Sequence, residues 1–280
     1  MVITVKGPKG IGCSVLLTSV IKAIRKHDKR TPINVLTNYP SLFGGYECAV
    51  NKKPTAVTVN LENYLALTLH QQVPYKHLYK HLVRLSSSQL GINLNENCPP
   101  EIFLTKQEIN WATKKISKYK KPVVWLQSKT SSINKDWLDD YWKTLLGKLN
   151  DNYEFIDLSK SEFSLRESLA ITKVSEAGIT LDTFLAHGSA AVGSKNVLVL
   201  LGSSRKEVVG YPGQTVVYVK SNCPLQPCGM HNCGFGCKKK DEQLFKGHEK
   251  TRCITDDYKC MKAITPELVL SNFFKMTKSQ

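Results

Sequence analysis

Two stretches of this 280-residue chain carry side chains whose types and spacing suit a phosphorylated ligand. In the first, Leu126-Gln-Ser-Lys-Thr-Ser-Ser-Ile-Asn-Lys-Asp-Trp137, a β-rich run leaves through a hydroxyl-rich loop and enters a helical pattern, the place where α/β folds receive phosphates. Lys135 offers positive charge there, and Thr130 and Ser131 offer hydrogen-bond donors. Taken alone, such a loop is more often a plain helix cap. In the second, Asp182-Thr-Phe-Leu-Ala-His-Gly-Ser-Ala-Ala-Val-Gly193 sets a carboxylate, an imidazole and small residues ahead of an apolar run at 197–201. Asp182 can equally cap the Ala/Ser-rich helix that follows it.

A third group is made of cysteines. Six of the nine fall between Cys223 and Cys260, with His231 and His248 among them. The first five residues lead into a polar glycine loop rather than a signal sequence, and no stretch approaches the roughly 18–20 apolar residues of a membrane span. A cytosolic chain is the expectation, and there clustering favours a metal over disulfides. Four thiolates in two close pairs can close a tetrahedral site and fix a loop that has little core of its own. Buried free thiols are the simpler alternative, and the spacing does not separate zinc from iron. Lys plus Arg number 39 against 23 acidic residues, a net charge of +16 that favours polyanionic partners.

Positioning these groups falls to two α/β alternations. Residues 2–5 form a short β-rich run, followed by Gly7-Pro-Lys-Gly-Ile-Gly12 and by a segment, 14–26, in which Val15, Leu16, Ser19, Val20, Ala23 and Ile24 recur at helical spacing. With a strand at 33–36 this opens a Rossmann-like unit. A strand at 56–61 and a basic, aromatic helix containing Tyr75-Lys-His-Leu-Tyr-Lys-His-Leu82 follow, the helix turning Leu78, Leu82 and Leu85 inward. The helix at 105–118 runs into Lys114, Lys115, Lys118, Lys120 and Lys121, an exposed linker that puts a domain boundary before Pro122. The second alternation is strand 123–127, helix 137–149, strand 154–158, helix 165–173 and strands 197–201 and 215–219, again implying a parallel sheet. Thr265-Pro266 supplies an N-cap and a first-turn proline for a last helix over 267–274. The expected division is 1–121, 122–222, a cysteine-rich 223–264 and a helical tail at 265–280.

In their order and separation, the two phosphate-suited segments resemble the heptosyltransferase family of inverting glycosyltransferases, whose α/β fold is two facing Rossmann-like domains of the GT-B type. The family pattern Asp-Ser/Thr-Gly-x-x-His-x-Ala-Ala-Ala-x-Gly keeps Asp182, Thr183, His187, Ala190, Ala191 and Gly193, and the pattern of a Thr/Ser pair before Lys and Trp keeps Thr130, Ser131, Lys135 and Trp137. The resemblance covers the second half and, more faintly, the first. It implies a nucleoside-diphosphate sugar as co-substrate, with Lys135, Thr130 and Ser131 on the diphosphate. Asp182, Thr183, Phe184, His187 and Gly188 would surround the donor, and Lys135 and Asp182 would carry the catalysis. Members that modify bacterial autotransporters carry a finger with iron on four cysteines before a helix opening Ile-Thr-Pro-Glu. Ile264-Thr-Pro-Glu267 stands in that context here, which implies Cys233, Cys237, Cys253 and Cys260 as ligands, with Cys223 and Cys228 as alternates.

Two positions depart from the family. Phe184 stands where a glycine usually lies beside the donor sugar, so the sugar need not be heptose. The general-base aspartate after the glycine loop is missing: Cys13 and Ser14 follow Gly12, and neither is a base at neutral pH without activation. Glu47 or another loop carboxylate must serve, or the chain binds donor without ordinary catalysis. For the acceptor, the positive charge points to a polyanion. A hydroxylated base in DNA comes first, flipped out and stacked on an aromatic such as Tyr75 or Tyr79; lipopolysaccharide core or, through the finger, a protein follows. A reading of another class is a non-catalytic nucleic-acid binder whose cysteine segment is a zinc finger. The setting implied is the cytoplasm of a bacterial or phage-infected cell.

Overall fold

The computed structural model of the chain describes residues 2–64, 75–160, 162–228, 253 and 257–278. Two parallel sheets organise it. The first, in the order β3-β2-β1-β4, is built from Ile3–Lys6 (β1), Ile33–Leu36 (β2), Ala49–Val50 (β3) and Val57–Asn60 (β4). The second, β6-β5-β7-β8-β9, is built from Val123–Leu126 (β5), Glu154–Asp157 (β6), Ala177–Leu181 (β7), Val197–Leu201 (β8) and Gln214–Tyr218 (β9). In each sheet the chain steps outward from its first strand and then returns to that strand's other side, the doubly wound arrangement that opens a crevice at the carboxyl ends.

Around the sheets lie α1 (Ile11–His27), α2 (Leu78–Leu90), α3 (Lys106–Ile116), α4 (Asp139–Leu149), α5 (Leu165–Val174), α6 (Phe184–Val192), the single turns α7 (Lys206–Val209) and α8 (Lys259–Lys262), and α9 (Pro266–Lys278). Helix α1 is buried almost continuously from Ser14 to Ile24 because it packs on both α2 and α6, so the first helix of one half touches the other. Val5, Leu16, Trp125, Leu169 and Val199 belong to one apolar core. Polar ties reinforce the seam. Arg166 of α5 donates twice to the Glu108 carboxylate of α3, at 2.5 and 2.6 Å, and once to the Phe103 carbonyl at 2.7 Å, while the Ile102 N–H donates to the Ala191 carbonyl at 2.9 Å.

Several elements differ from the sequence reading. Strand β7, wholly buried at the centre of the second sheet, was not expected, because Ala177 and Gly178 lack the branched bulk of a typical strand. Packing explains it: a Cβ on Gly178 would lie 1.9 Å from the indole of Trp125, which occupies that volume. Trp137 does not open α4. It lies in a second apolar core with Trp142, Val269 and Phe273, and its indole N–H donates to the Ile264 carbonyl at 2.7 Å, fastening α9 to the sheet. The basic helix starts later than expected, and its rings face inward. His77, Tyr79 and His81 are buried, and Lys76 and Arg84 both pair with Glu96 at 3.1 and 2.9 Å. Tyr79 lies parallel to Tyr211, and Tyr75 carries the Arg205 guanidinium 4.0 Å above its ring. Among the described residues no helix is long and apolar enough to cross a membrane.

Candidate active site

Residues following the carboxyl ends of β1, β2, β4, β5, β6, β7 and β8 line one cleft of about 610 Å³, a size within the range of small-molecule sites. From the second half come Lys129, Thr130, Ser131, Lys135, Asp182, Thr183, Phe184, His187, Ser204 and Arg205; from the first come Gly10–Cys13, Leu16, Tyr39, Tyr64 and Leu78. Nearly every donor-side residue expected from the sequence therefore meets here. Gly188 does not line the cleft. It faces α5, where a Cβ would come within 2.5 Å of Leu169, so its missing side chain serves helix packing.

The loop after β5 explains how Lys135 is held. Thr130 donates its hydroxyl to the Ser132 carbonyl at 2.6 Å and accepts from the Ser132 N–H at 3.0 Å, and its own N–H donates to Asp136 at 2.7 Å. The loop closes in a single 3-10 turn, Ile133–Lys135, rather than running straight into a helix as expected. Lys135 is buried, its ammonium 3.9 Å from the Asp182 carboxylate. Asp182 directly follows β7, one residue before the N-cap Thr183, and accepts a hydrogen bond from the Ser204 hydroxyl at 2.5 Å. Thr183 is the first residue outside α6, and its hydroxyl donates to the Gln127 amide oxygen rather than to the helix. Gln127, Ser204 and Asp136 were missed in the sequence. The first two sit just beyond β5 and β8, the strand-end positions where α/β sites are built.

His187 stands on α6 with its Nδ1 2.9 Å from the Tyr211 hydroxyl. Burial pushes the imidazole down to about 4, with Asp182 opposing and Lys135 adding to the depression, so the ring is neutral at pH 7. The Tyr211 phenol is buried and its pKa is raised, so it keeps its proton. Among the described residues that proton has one acceptor, His187 Nδ1, and a buried O–H left unpaired is costly. The tautomer that satisfies both rings has the His187 proton on Nε2.

On the opposite wall, Gly12 lets α1 approach α6: a Cβ there would lie 3.3 Å from His187 and 3.6 Å from Phe184. Cys13 lines the cleft, its sulfur 3.7 Å from the Tyr64 hydroxyl. Ser14 is buried away from the cleft against Thr37, and Glu47 is exposed and outside it, so neither supplies the missing base. Asp182 is the one carboxylate lining the cleft among the described residues.

Two of the helices whose first residues line the cleft share a feature. Neither α1 nor α6 has a side-chain N-cap bond or an acidic residue in its first turn. Their first N–H groups thus donate no hydrogen bond to the N-cap side chain.

Of the expected metal ligands, Cys233 and Cys237 lie outside the described residues. Among the described residues no three His, Cys, Asp or Glu side chains are arranged to hold a metal ion. Cys260 is nonetheless pushed up to about 12 by burial and by the neighbouring Cys228, Cys253 and Cys223. The loop bearing Cys223 and Cys228 is tied to the sheet by Gln226, which donates to the Gly202 and Val219 carbonyls at 3.0 and 2.8 Å.

No protein-family model and no curated protein sequence matches the chain. Solved structures do. ADP-heptose lipopolysaccharide heptosyltransferase II of E. coli superposes with a TM-score of 0.68 at 12% identity, over 99% of both chains. A family 9 glycosyltransferase from Veillonella parvula gives 0.73 at 13% identity, over 99% of this chain and 97% of that one. The dodecameric iron-containing heptosyltransferase TibC from enterotoxigenic E. coli, in complex with ADP-D-β-D-heptose, gives 0.68 at 14% identity, over 99% of this chain and 76% of that one. The chain therefore has the α/β fold of the heptosyltransferase-like glycosyltransferases, with two parallel sheets facing one cleft.

Proposed function

We propose that this chain is a glycosyltransferase that moves a sugar from a nucleoside-diphosphate donor to an acceptor hydroxyl with inversion at the anomeric carbon. The observation that carries this reading is the convergence of Lys135, Asp182 and the uncapped start of α6 in one cleft, from the ends of β5 and β7. In the reaction the acceptor oxygen bonds to the anomeric carbon as that carbon's bond to the diphosphate oxygen breaks. The electron pair leaves with the nucleoside diphosphate, and the hydroxyl proton ends on water. Lys135 and the first N–H groups of α6 act on the charge that grows on the leaving diphosphate, with Thr130 and Ser131 beside it. Asp182, Thr183, Phe184 and His187 line the sugar. An adenosine-diphosphate sugar is the first donor to try, since TibC is seen with ADP-D-β-D-heptose. Phe184 leaves the sugar itself open.

The acceptor hydroxyl is taken to belong to a polyanion in the cytoplasm, a hydroxylated DNA base ahead of lipopolysaccharide core or protein, a choice supported by the net charge of +16. The test is incubation with ADP-, UDP- and GDP-sugars and each acceptor class, reading nucleoside-diphosphate release and added mass. Silence across every donor and acceptor would sink the enzyme reading and favour a non-catalytic binder.

A structural metal belongs to the same proposal, with a changed ligand set. Burial and the neighbouring Cys228, Cys253 and Cys223 raise the cost of ionising Cys260, and a zinc or iron ion drawing the four together would relieve it. Cys223 and Cys228 are then the alternates to Cys233 and Cys237, which lie outside the described residues. Metal content of the purified protein, lost in Cys260→Ser, is the check.

A further inference from the structure

His187 makes only half of its hydrogen bonds within the chain. The residue is 5% exposed and lines the cleft, and its Nδ1 is taken by the Tyr211 hydroxyl at 2.9 Å. Nε2, which carries the proton, has no hydrogen-bond partner among the described residues and is open to the cleft rather than sealed in the core. The adjoining Cδ2 faces the start of α1, where a Cβ on Gly12 would lie 3.3 Å from it. A donor this deeply placed is costly to leave unpaired. Burial, helped by Lys135, outweighs the Asp182 carboxylate and keeps the ring neutral. The cleft is thus offered a neutral N–H rather than a second cation beside Lys135.

Tyr211 itself does not line the cleft, yet it is fixed from both halves of the molecule. Its ring lies 4.3 Å from that of His77 and 6.2 Å from that of Tyr79, nearly parallel to the latter at 11°. His77 is the N-cap of α2, its Nδ1 accepting from the Tyr79 N–H at 3.3 Å, so it cannot turn away without giving up the cap. From the other side, the Tyr211 N–H donates to Gln214 Oε1 at 3.2 Å, and Gln214 Nε2 donates to the Ala186 carbonyl at 2.7 Å, one residue before His187. The phenol is therefore clamped between α2 of the first half and the start of β9, with its hydroxyl on the histidine of α6.

We infer that Tyr211 is a positioning residue of the donor site, whose hydroxyl aims the His187 Nε2–H at an oxygen of the bound nucleotide sugar. This rests on the glycosyltransferase reading above and gives a role to a residue outside both phosphate-suited segments. By donating to Nδ1, the hydroxyl places the ring's one proton on Nε2. It also selects between the two ring orientations, because half a turn of the imidazole would set Cδ2–H against the phenol and Cε1–H towards the ligand. A donor fixed in this way before the ligand arrives costs no reorganisation when the ligand binds.

The experiment uses the full chain labelled with 15N-histidine, with two-bond 1H–15N correlation spectra recorded at pH 7 and the His187 signals identified by their loss in His187→Gln. The wild type should show a neutral ring with its proton on Nε2 before any ligand is added, and the Nε2 signal should move on addition of ADP-glucose. Tyr211→Phe keeps the ring packed against His77 and Tyr79. It should shift the Nδ1 signal by removing its hydrogen bond, and weaken ADP-glucose by about three- to tenfold, the scale of one net hydrogen bond. In a His187→Ala background the same change should have no further effect on ADP-glucose affinity, because Tyr211 acts through the imidazole. A wild-type proton on Nδ1, a Tyr211→Phe spectrum unchanged from wild type, or an equal loss of affinity with and without His187 overturns the inference even where the donor binds tightly. Failure of ADP-, UDP- and GDP-sugars alike to bind defeats the glycosyltransferase reading and with it the ligand contact, while the ligand-free spectra still decide whether Tyr211 sets the tautomer.

Discussion

The four helices that frame the seam between the two halves begin in two different ways. Helices α3 and α5, which carry the Glu108–Arg166 tie, each open with a full capping box, Thr105 with Glu108 and Ser164 with Glu167. Helices α1 and α6, which open onto the cleft, have no side-chain cap and no first-turn acid. The same fold thus caps the two helices that carry the polar tie and leaves uncapped the two, α1 and α6, whose first residues face one another across the cleft. Thr183 makes the point most directly: it stands at an N-cap position with a capable hydroxyl, yet that hydroxyl is turned to Gln127.

The largest effect expected is on the bare side. Lys135→Ala should lower turnover by about 10²–10³-fold, the usual cost of removing one preorganised charge-stabilising group, and leave the acceptor KM nearly unchanged. Steady-state kinetics with varied acceptor reads the split.

On the capped side the effect should be on stability and should depend on pH. Hydrogen bonds from Arg166 hold the Glu108 carboxyl down to about 2, against an ordinary 4.5. A carboxyl lowered in the folded state stabilises above its unfolded pKa and loses that contribution as pH falls through the folded one. Acid unfolding should therefore steepen between pH 4.5 and about 2, with a total on the order of 3 kcal/mol at stake. Arg166→Met should weaken that dependence in denaturant titrations, the hydrogen bonds from Thr105 keeping part of it, while nucleotide affinity stays within about twofold, a change of about 0.4 kcal/mol.

A smaller, paired test exchanges the two kinds of helix start. Ser164→Ala should cost about 1 kcal/mol of stability and nothing in donor binding. Thr183→Ala should do the reverse. Thermal melts and donor titrations on both variants would break the comparison if the two behaved alike. The smallest effect is a gain: Gly10→Asp adds an N-cap to α1 at a backbone angle that suits it, and should stabilise by a few tenths of a kcal/mol while weakening the binding of any anionic ligand in the cleft.

Much of this was legible in the sequence because period and punctuation agreed. The strands at 33–36 and 197–201 are apolar runs in a typical setting, and Thr130, Ser131, Lys135, Asp182, Thr183, Phe184 and His187 come together as the paired segments imply. What could not be read depends on contacts distant in sequence. Strand β7 exists because Trp125 fills the space above Gly178, the role of Tyr211 depends on a histidine 24 residues earlier, and Ser204 reaches Asp182 from the next strand's loop. The choice of thiols rested on the resemblance; Cys233 and Cys237 lie outside the described residues, and the Gln226-anchored loop brings the alternates Cys223 and Cys228 near Cys260. Gly188 matched a motif but serves packing against Leu169.

Calorimetric titration of ADP into the wild-type chain and into Lys135→Ala bears most directly on whether the second-half wall of the cleft holds a nucleotide donor. One site per chain in the wild type, weakened at least about tenfold, or about 1.4 kcal/mol, in the variant, is the predicted result. No binding of ADP, UDP or GDP to the wild type, or equal affinity in both proteins, would contradict it.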